Sequence, residues 1–528
     1  MNRREFLAGS AGAVLGALAA GAPGCAARSP GEMNLLLVTV EDWTARALGC
    51  YGNEVVKTPR VDAFAKGAVR FERAYCQSPG CNPSRSSFLT GLRPETTRIF
   101  GNRDPMDRLL PPEALSLPEL VKTRGFRAVG IGKLFHEGFM ARRQLGAFDR
   151  LELCDIPEGY AGVSTGYEPL PGEKPPPPRR FRFSPDPELE RRLVALERER
   201  DEALRGTVPG SGEWQRALIP FRQLQAELLG DSGESEEGSL DGRRARLAAR
   251  LVGELAREGR PFFLSLGLSA PHTPLVAPRE YVDLYPPEAM PWPPAPRELD
   301  RDIPPIAIRF GANYDLFKSV PTPELVRKAI ASYYACVSFA DAQIGIVLDA
   351  LEAAGLAEST AVVILADHGF HLGEHGLWSK VTLFEQAIRV PLLVRLPGAA
   401  GQGATCRQIV ELVDLVPTVC DLWSIPAPQP LEGTSLAPLL QDPTRRWKRA
   451  AFAVCKQHAS LGRSVRTRRY RWSEWRGPHG PQPELYDLQR DPFEQVNLAA
   501  DPAHQAVARQ LGSLLRAGWR AALPADVG

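Results

Sequence analysis

Net charge is nearly absent from this 528-residue chain: 64 Lys and Arg stand against 62 Asp and Glu, leaving +2. That balance excludes a nucleic-acid binder working through overall charge, though a local basic patch could still hold an anion. No C-x-x-C pair occurs among the nine cysteines, which removes the usual structural zinc and thioredoxin-like arrangements. There is no solenoid-type repeat, and no apolar run of membrane length is expected beyond the N-terminus. What is present is an ordinary globular composition, 44% hydrophobic and 24% charged, long enough for a large core in one or two domains.

Arg3-Arg4, Phe6-Leu7 and a weakly apolar Ala/Gly/Leu stretch ending near Ala20 mark residues 1–31 as an export leader. The segment resembles a bacterial twin-arginine signal. Its apolar part is too short to span a bilayer comfortably. Cys25 follows Ala22-Pro23-Gly24, without the Leu usual three residues before a lipidated Cys. Release to the periplasm or cell surface is therefore the expectation, with a lipid anchor at Cys25 as the lesser alternative.

Four nearly continuous apolar runs, Asn34–Val40, Arg127–Gly132, Pro261–Leu268 and Ala361–Ala366, read as strands buried on both faces. Helical patterns separate them, over Ser116–Arg124, Arg243–Glu258 and Pro323–Gly355. The alternation predicts an α/β domain over residues 32–400, a mostly parallel sheet sandwiched by helices. Each run leads into a polar cluster at its carboxyl end: Glu41-Asp42, Lys133 with His136, His272, and Asp367-His368. Ligands of open α/β sheets bind beyond the carboxyl ends of the strands, so four segments aim acid–base and metal-binding groups at one region. Residues 166–238 read as an insertion, with Pro175–Pro178, Arg179-Arg180-Phe181-Arg182 and a charged helix over Leu189–Arg205. It is first a solvated excursion, with a basic lid as the alternative. Residues 401–528 read as a smaller C-terminal α+β subdomain, with strands at Ala450–Val454 and Tyr470–Trp472 and a helix over Gln505–Ala521.

Cys81 lies in Cys81-Asn82-Pro83-Ser84-Arg85, just before a helix predicted to open at Ser84–Leu89. A helix N-terminus offers free N–H groups and a positive dipole end, which suit a tetrahedral oxyanion. Arg85 adds a permanently charged fork. Alone, such a Cys is more often buried structure than a nucleophile. With Cys25 and Cys81 set aside, seven cysteines remain, so at least one is unpaired in a monomer. Cys76 is near enough in sequence for a disulfide with Cys81 that would abolish such chemistry, and nothing in the sequence selects it.

C-x-P-x-R followed by Ser86-Ser87-Phe88-Leu89-Thr90-Gly91 resembles the signature of the type I, formylglycine-dependent sulfatases. The likeness continues through Leu48-Gly49-Cys50-Tyr51-Gly52, Thr58-Pro59, Asp367-His368-Gly369 and Glu484-Leu485-Tyr486-Asp487-Leu488. The resemblance implies an alkaline-phosphatase-like fold and oxidation of Cys81 to formylglycine by a formylglycine-generating enzyme. It implies one divalent ion, Ca2+ in most relatives, held by Glu41, Asp42, Asp367 and His368 with the modified Cys81. Carboxylates suit a hard cation, the imidazole less so. Glu41 is a departure, since most relatives have Asp there. The resemblance further implies that Lys133 and Lys380 bind sulfate, that His136 takes the proton when sulfate is expelled, and that His272 protonates the leaving alcohol. A loop histidine bonded to backbone is the bland alternative for His272. His371, Glu374 and His375 are expected to structure their loop.

Arg93-Pro94-Glu95-Thr96-Thr97-Arg98, Gly132–His136 and Phe370-His371-Leu372-Gly373-Glu374-His375-Gly376 are most similar to the iduronate-2-sulfatase-like group. Ala270 replaces a Lys that commonly precedes the Pro-His pair there, which shifts the expected substrate from a 2-O-sulfated uronate toward another sulfated sugar. The expected partner is thus a sulfated carbohydrate of glycosaminoglycan type. A phosphodiester or phosphonate monoester hydrolase, and a non-catalytic sulfated-glycan-binding relative, stay open.

Overall fold

A computed structural model describes residues 33–102, 104–136, 146–152, 185–204, 220, 228–295, 297–308, 316–317, 321–457, 460–477 and 480–524. The leader with Cys25, and the Pro175–Pro178 and Arg179–Arg182 parts of the expected insertion, lie outside the described residues. From the insertion the structure describes a helix, Pro187–Leu204, and the short strand β5 below.

The strands follow in chain order: β1 (Asn34–Val40), β2 (Val69–Tyr75), β3 (Arg127–Gly132), β4 (Arg150–Glu152) and β5 (Leu229–Asp231). Then come β6 (Phe262–Leu268), β7 (Leu275–Ala277), β8 (Thr360–Ala366), β9 (Arg389–Val390), β10 (Leu392–Arg395) and β11 (Thr405–Glu411). The last four are β12 (Ala450–Gln457), β13 (Ser460–Thr467), β14 (Tyr470–Gly477) and β15 (Gly480–Asp487). Nine of them form the main sheet in the order β11-β2-β10-β8-β1-β6-β3-β4, with β9 pairing β2. Only β9 and β10 run antiparallel to their neighbours. β1, β6 and β8 are buried along their whole length, which is why their sequences are apolar at every position instead of alternating. The four strands read from the sequence, β8-β1-β6-β3, are side by side at the centre. Their carboxyl ends therefore share one edge.

Three sequence expectations differ from the structure. The domain boundary at residue 400 is too early: Thr405–Glu411 pairs in parallel with β2 and closes the main sheet, and the buried helix Leu415–Trp423 follows it. Only beyond this does the smaller unit begin, a four-stranded antiparallel sheet β12-β13-β14-β15 with the helix Gln505–Ala517 on one face. That helix stops before Ala521 because Gly518, at φ +80, turns the chain. The helix carrying Cys81 is also longer than expected, spanning Cys81–Thr90. Pro83 sits in its first turn, where the missing N–H breaks no helical bond.

The helix Pro323–Ala353 is, against the sequence expectation, long and apolar enough to cross a membrane, yet 78% of its most apolar stretch is buried in the protein. It packs on the helix Leu240–Glu258 and on β7. All seven described cysteines, Cys76 and Cys81 among them, are free thiols.

Candidate active site

The site lies where the ends of β1, β3, β6 and β8 meet the first turn of the Cys81–Thr90 helix, whose ten residues are all buried. Cys81 begins that helix at 1% exposure. Its Sγ is 3.3 Å from His368 Nε2 and 3.6 Å from Lys380 Nζ. Gly80 precedes it in extended conformation, and Gly91, at φ +70, ends the helix with its N–H on Ser87 O. A Cβ at Gly91 would fall 2.8 Å from Leu431 Cδ2, so both the dihedral and the space ask for glycine.

At the end of β1, Asp42 adopts a left-handed backbone, φ +53. The structure holds that conformation from both sides. Tyr333 donates its hydroxyl to Asp42 O at 2.6 Å and accepts from Thr44 N at 2.9 Å. Asp367 Oδ1 accepts from Asp42 N at 3.2 Å and from His368 N at 2.9 Å. The other Asp367 oxygen accepts from Arg85 Nε at 3.1 Å, and Ser84 donates to Asp367 O. Arg85 also donates to Lys133 O at 2.8 Å and Leu134 O at 2.9 Å, tying the Cys81 helix to the end of β3.

Every acid in this buried set faces a cation. Lys380 Nζ is 2.5 Å from Asp42 Oδ1, Lys133 donates to Glu41, and Arg85 is 3.7 Å from Glu41 Oε1. Burial alone would raise Glu41, but Lys133, then His272, Arg85 and Lys380, hold it well below the carboxylate range. Burial likewise opposes ionisation of Asp367, and His368 and Arg85 outweigh it. His368 is lifted to about 9: burial lowers it, and Asp367 and Cys81 more than compensate. Burial, and then Lys133, push His136 well below its ordinary value. His272 is lowered too, by burial and then by Lys380.

The donor set fits a divalent cation. Asp42, Cys81 and His368 offer atoms within 4.8 Å of one another, and Asp367 Oδ2 is 3.7 Å from His368 Nε2. Glu41 falls into a second group with Cys81 and His272. Glu41, Asp42 and Asp367 against Arg85, Lys133 and Lys380 sum to neutrality, so a bound divalent ion, with His368 neutral as its ligand, would leave +2 to face an oxyanion. His272 is half-buried with Nδ1 2.8 Å from Thr273 O; a carbonyl only accepts, so Nδ1 carries a proton, and one ring nitrogen lies within 4.8 Å of donor atoms of Glu41 and Cys81. His136 is half-buried, and among the described residues its Nδ1 has no partner.

Every candidate from the sequence is thus in this region. His371, Glu374 and His375 hold their loop: His371 Nε2 meets Thr382 Oγ1 at 2.8 Å, Glu374 accepts from Leu372 N at 2.7 Å, and His375 Nδ1 meets Asp300 at 2.8 Å. Tyr333 and Ser84 were not singled out by sequence. Tyr333 lies mid-helix in an apolar pattern and carries no local mark of its role.

A family model described as Sulfatase matches residues 33–425, and one described as N-sulphoglucosamine sulphohydrolase, C-terminal, matches 373–519. The chain belongs to the sulfatase family. Iduronate 2-sulfatase of Mus musculus is 31% identical to this sulfatase over 434 residues, 75% of this chain and 69% of that protein. A sulfatase of Formosa agariphila is 30% identical over 495 residues, 91% of this chain and 86% of that one. The crystal structure of the phosphonate monoester hydrolase of Agrobacterium radiobacter superposes with a TM-score of 0.69 at 22% identity, covering 93% and 95% of the two chains, which shows a shared fold. Membership makes this sulfatase a hydrolase of sulfate esters.

Proposed function

We propose that the sulfatase releases sulfate from a sulfated glycan, a 2-O-sulfated uronate or a related sulfated sugar, using a formylglycine made from Cys81 and one Ca2+. The observation that carries this reading is Cys81 Sγ at a buried helix start, with His368 and Lys380 within 3.6 Å. A bound divalent ion would supply Lewis-acid stabilisation of charge on the sulfate oxygens. Asp42, Asp367 and His368 would hold it, with Glu41 alongside. An aldehyde hydrate at Cys81 would supply the attacking oxygen.

The chain's own groups do the rest. Lys133 and Lys380 draw in the sulfate and neutralise its oxygens, and Arg85 fixes the backbone of Lys133. His272, held through its Nδ1–H on Thr273 O, would protonate the departing sugar oxygen from Nε2 in its doubly protonated imidazolium form, which the charge developing on that oxygen favours. His136 takes the proton that lets sulfate leave the side chain. The name of the iduronate relative supports a glycan substrate, and Ala270 supports a shift in sugar. Arg3-Arg4 and the apolar stretch after it support export to the periplasm or cell surface, with a formylglycine-generating enzyme acting beforehand.

The test pairs mass spectrometry of the Cys81 peptide with assays on matched sulfate and phosphate esters. An aldehyde at Cys81 and preferential sulfate release are expected. An unmodified thiol in active enzyme from the native host, or a clear preference for phosphate or phosphonate esters, overturns the reading.

A further inference from the structure

The loop that carries His272 is held by a buried ion pair that lies outside the motifs singled out in the sequence. Asp241 is in the first turn of the helix Leu240–Glu258, whose N-cap Ser239 accepts from Gly242 N at 3.1 Å. An acid there would ordinarily complement the helix's own free N–H groups. Asp241 instead turns outward from its helix. Its carboxylate accepts from Ser269 N at 2.9 and 3.1 Å and from Ala270 N at 2.8 Å. Arg244, one turn on and fully buried, donates to Asp241 at 2.9 Å and to Ser269 Oγ at 2.8 Å. Two peptide N–H groups and one hydroxyl are thus fixed immediately before Pro271-His272.

The same arginine also touches the end of β3. Gly132, at φ +68, precedes Lys133, and a Cβ there would fall 2.8 Å from Arg244 Nε and 2.2 Å from Gly267 O. Gly132 and Gly267 are register partners of β3 and β6. The Asp241–Arg244 pair therefore closes over the point where the Lys133 strand and the His272 strand leave the sheet together. For stability alone, well-packed apolar residues often serve as well as a buried ion pair. Apolar side chains could not bind the Ser269 and Ala270 peptides, however.

We propose that Asp241 and Arg244 are positioning residues that aim His272 Nε2 at the leaving oxygen of the substrate. The proposal rests on His272 protonating that oxygen. A proton donor matters little when the departing group is a stable phenolate and greatly when it is a sugar alkoxide. Loss of aim should therefore depend on the leaving group, whereas general weakening of the fold should not.

The experiment measures kcat/KM of the calcium-loaded enzyme on 4-nitrophenyl sulfate, phenyl sulfate and a sulfated monosaccharide that the native enzyme turns over. It compares wild type with Asp241→Asn, Arg244→Gln and His272→Ala. Asp241→Asn is expected to lose roughly 100-fold or more on the sugar sulfate and only a few-fold on 4-nitrophenyl sulfate. Arg244→Gln should show the same slope to a lesser degree, and it serves alone if Asp241→Asn fails to fold. The Asp241→Asn, His272→Ala double variant should be no worse than His272→Ala. If His272→Ala is selective and both pair variants lose activity uniformly, the positioning proposal is overturned while the role of His272 stands. If His272→Ala itself is uniform across leaving groups, the role of His272 falls and the proposal with it.

Discussion

Asp42 is held in its left-handed conformation by Tyr333 on its carbonyl and by Asp367 on its N–H, so one candidate ligand depends on a phenol from a distant helix. Tyr333→Phe keeps the ring stacked on Phe370, 5.5 Å between centroids, and deletes both hydrogen bonds. Affinity for Ca2+ is expected to fall by about 10- to 100-fold, read by calorimetric titration of the metal-free protein. Cys81→Ala should lower kcat on the order of 10⁴-fold or more with the far-ultraviolet circular dichroism unchanged. Strand-end residues such as Asp42, Lys133 and His272 were legible because a buried apolar run ending in a polar cluster marks itself locally. Tyr333 and Asp241 were not, because each looks like ordinary helix sequence and acquires its role only from a partner brought close by folding.

The long central strands declared themselves in the same way: β1 and β3 match the expected bounds, being apolar at nearly every position. β2 and β11 did not, since their partly exposed residues interrupt the pattern at the sheet edge. Two buried charge clusters join that edge and its neighbouring loop to the C-terminal sheet. Glu385 meets Arg466 at 2.9 Å and Arg471 at 2.7 Å; Glu411 meets Arg93 at 2.7 Å and Lys448 at 2.9 Å, and accepts from Phe452 N at 2.9 Å. Burial would raise both carboxyls, but Arg466 and Arg471 hold Glu385 to about 2, and Arg93 and Lys448 hold Glu411 to about 2. A carboxyl depressed in the folded state stabilises the fold above its unfolded value of about 4.3 and loses that contribution as pH falls toward 2. Glu385→Gln leaves buried cations short of a partner and should cost about 3–5 kcal/mol at pH 7. The gap between wild type and variant should then narrow as pH is lowered from about 4.5, which urea titrations at each pH would show. A gap that stays constant would remove Glu385 from the acid response.

Across the whole molecule the main sheet and the C-terminal sheet meet beside the active site. β12 reaches the active-site loop directly: Cys455 Sγ and Gln457 Nε2 both donate to Val381 O, at 3.3 and 2.9 Å, beside Lys380. A chain ended at residue 400 is expected to be insoluble, because it loses β11 from the main sheet; soluble expression of that fragment would restore the earlier boundary. Calcium at 100 times its dissociation constant should stabilise the metal-free protein by about 2.7 kcal/mol, seen as a rise in melting temperature that an Asp42→Asn variant lacks. The 1% exposure of Cys81 has a consequence in time as well as in space. Once the helix Cys81–Thr90 is seated, its ten residues are all enclosed, so a maturing enzyme has access only while the chain is still open. On the proposed oxidation, each polypeptide runs a race between closing its fold and being converted, and the fraction of competent molecules is settled at birth by two rates. Slowing the first, by cooler growth or a mild folding defect far from the site, should enrich the aldehyde-bearing population.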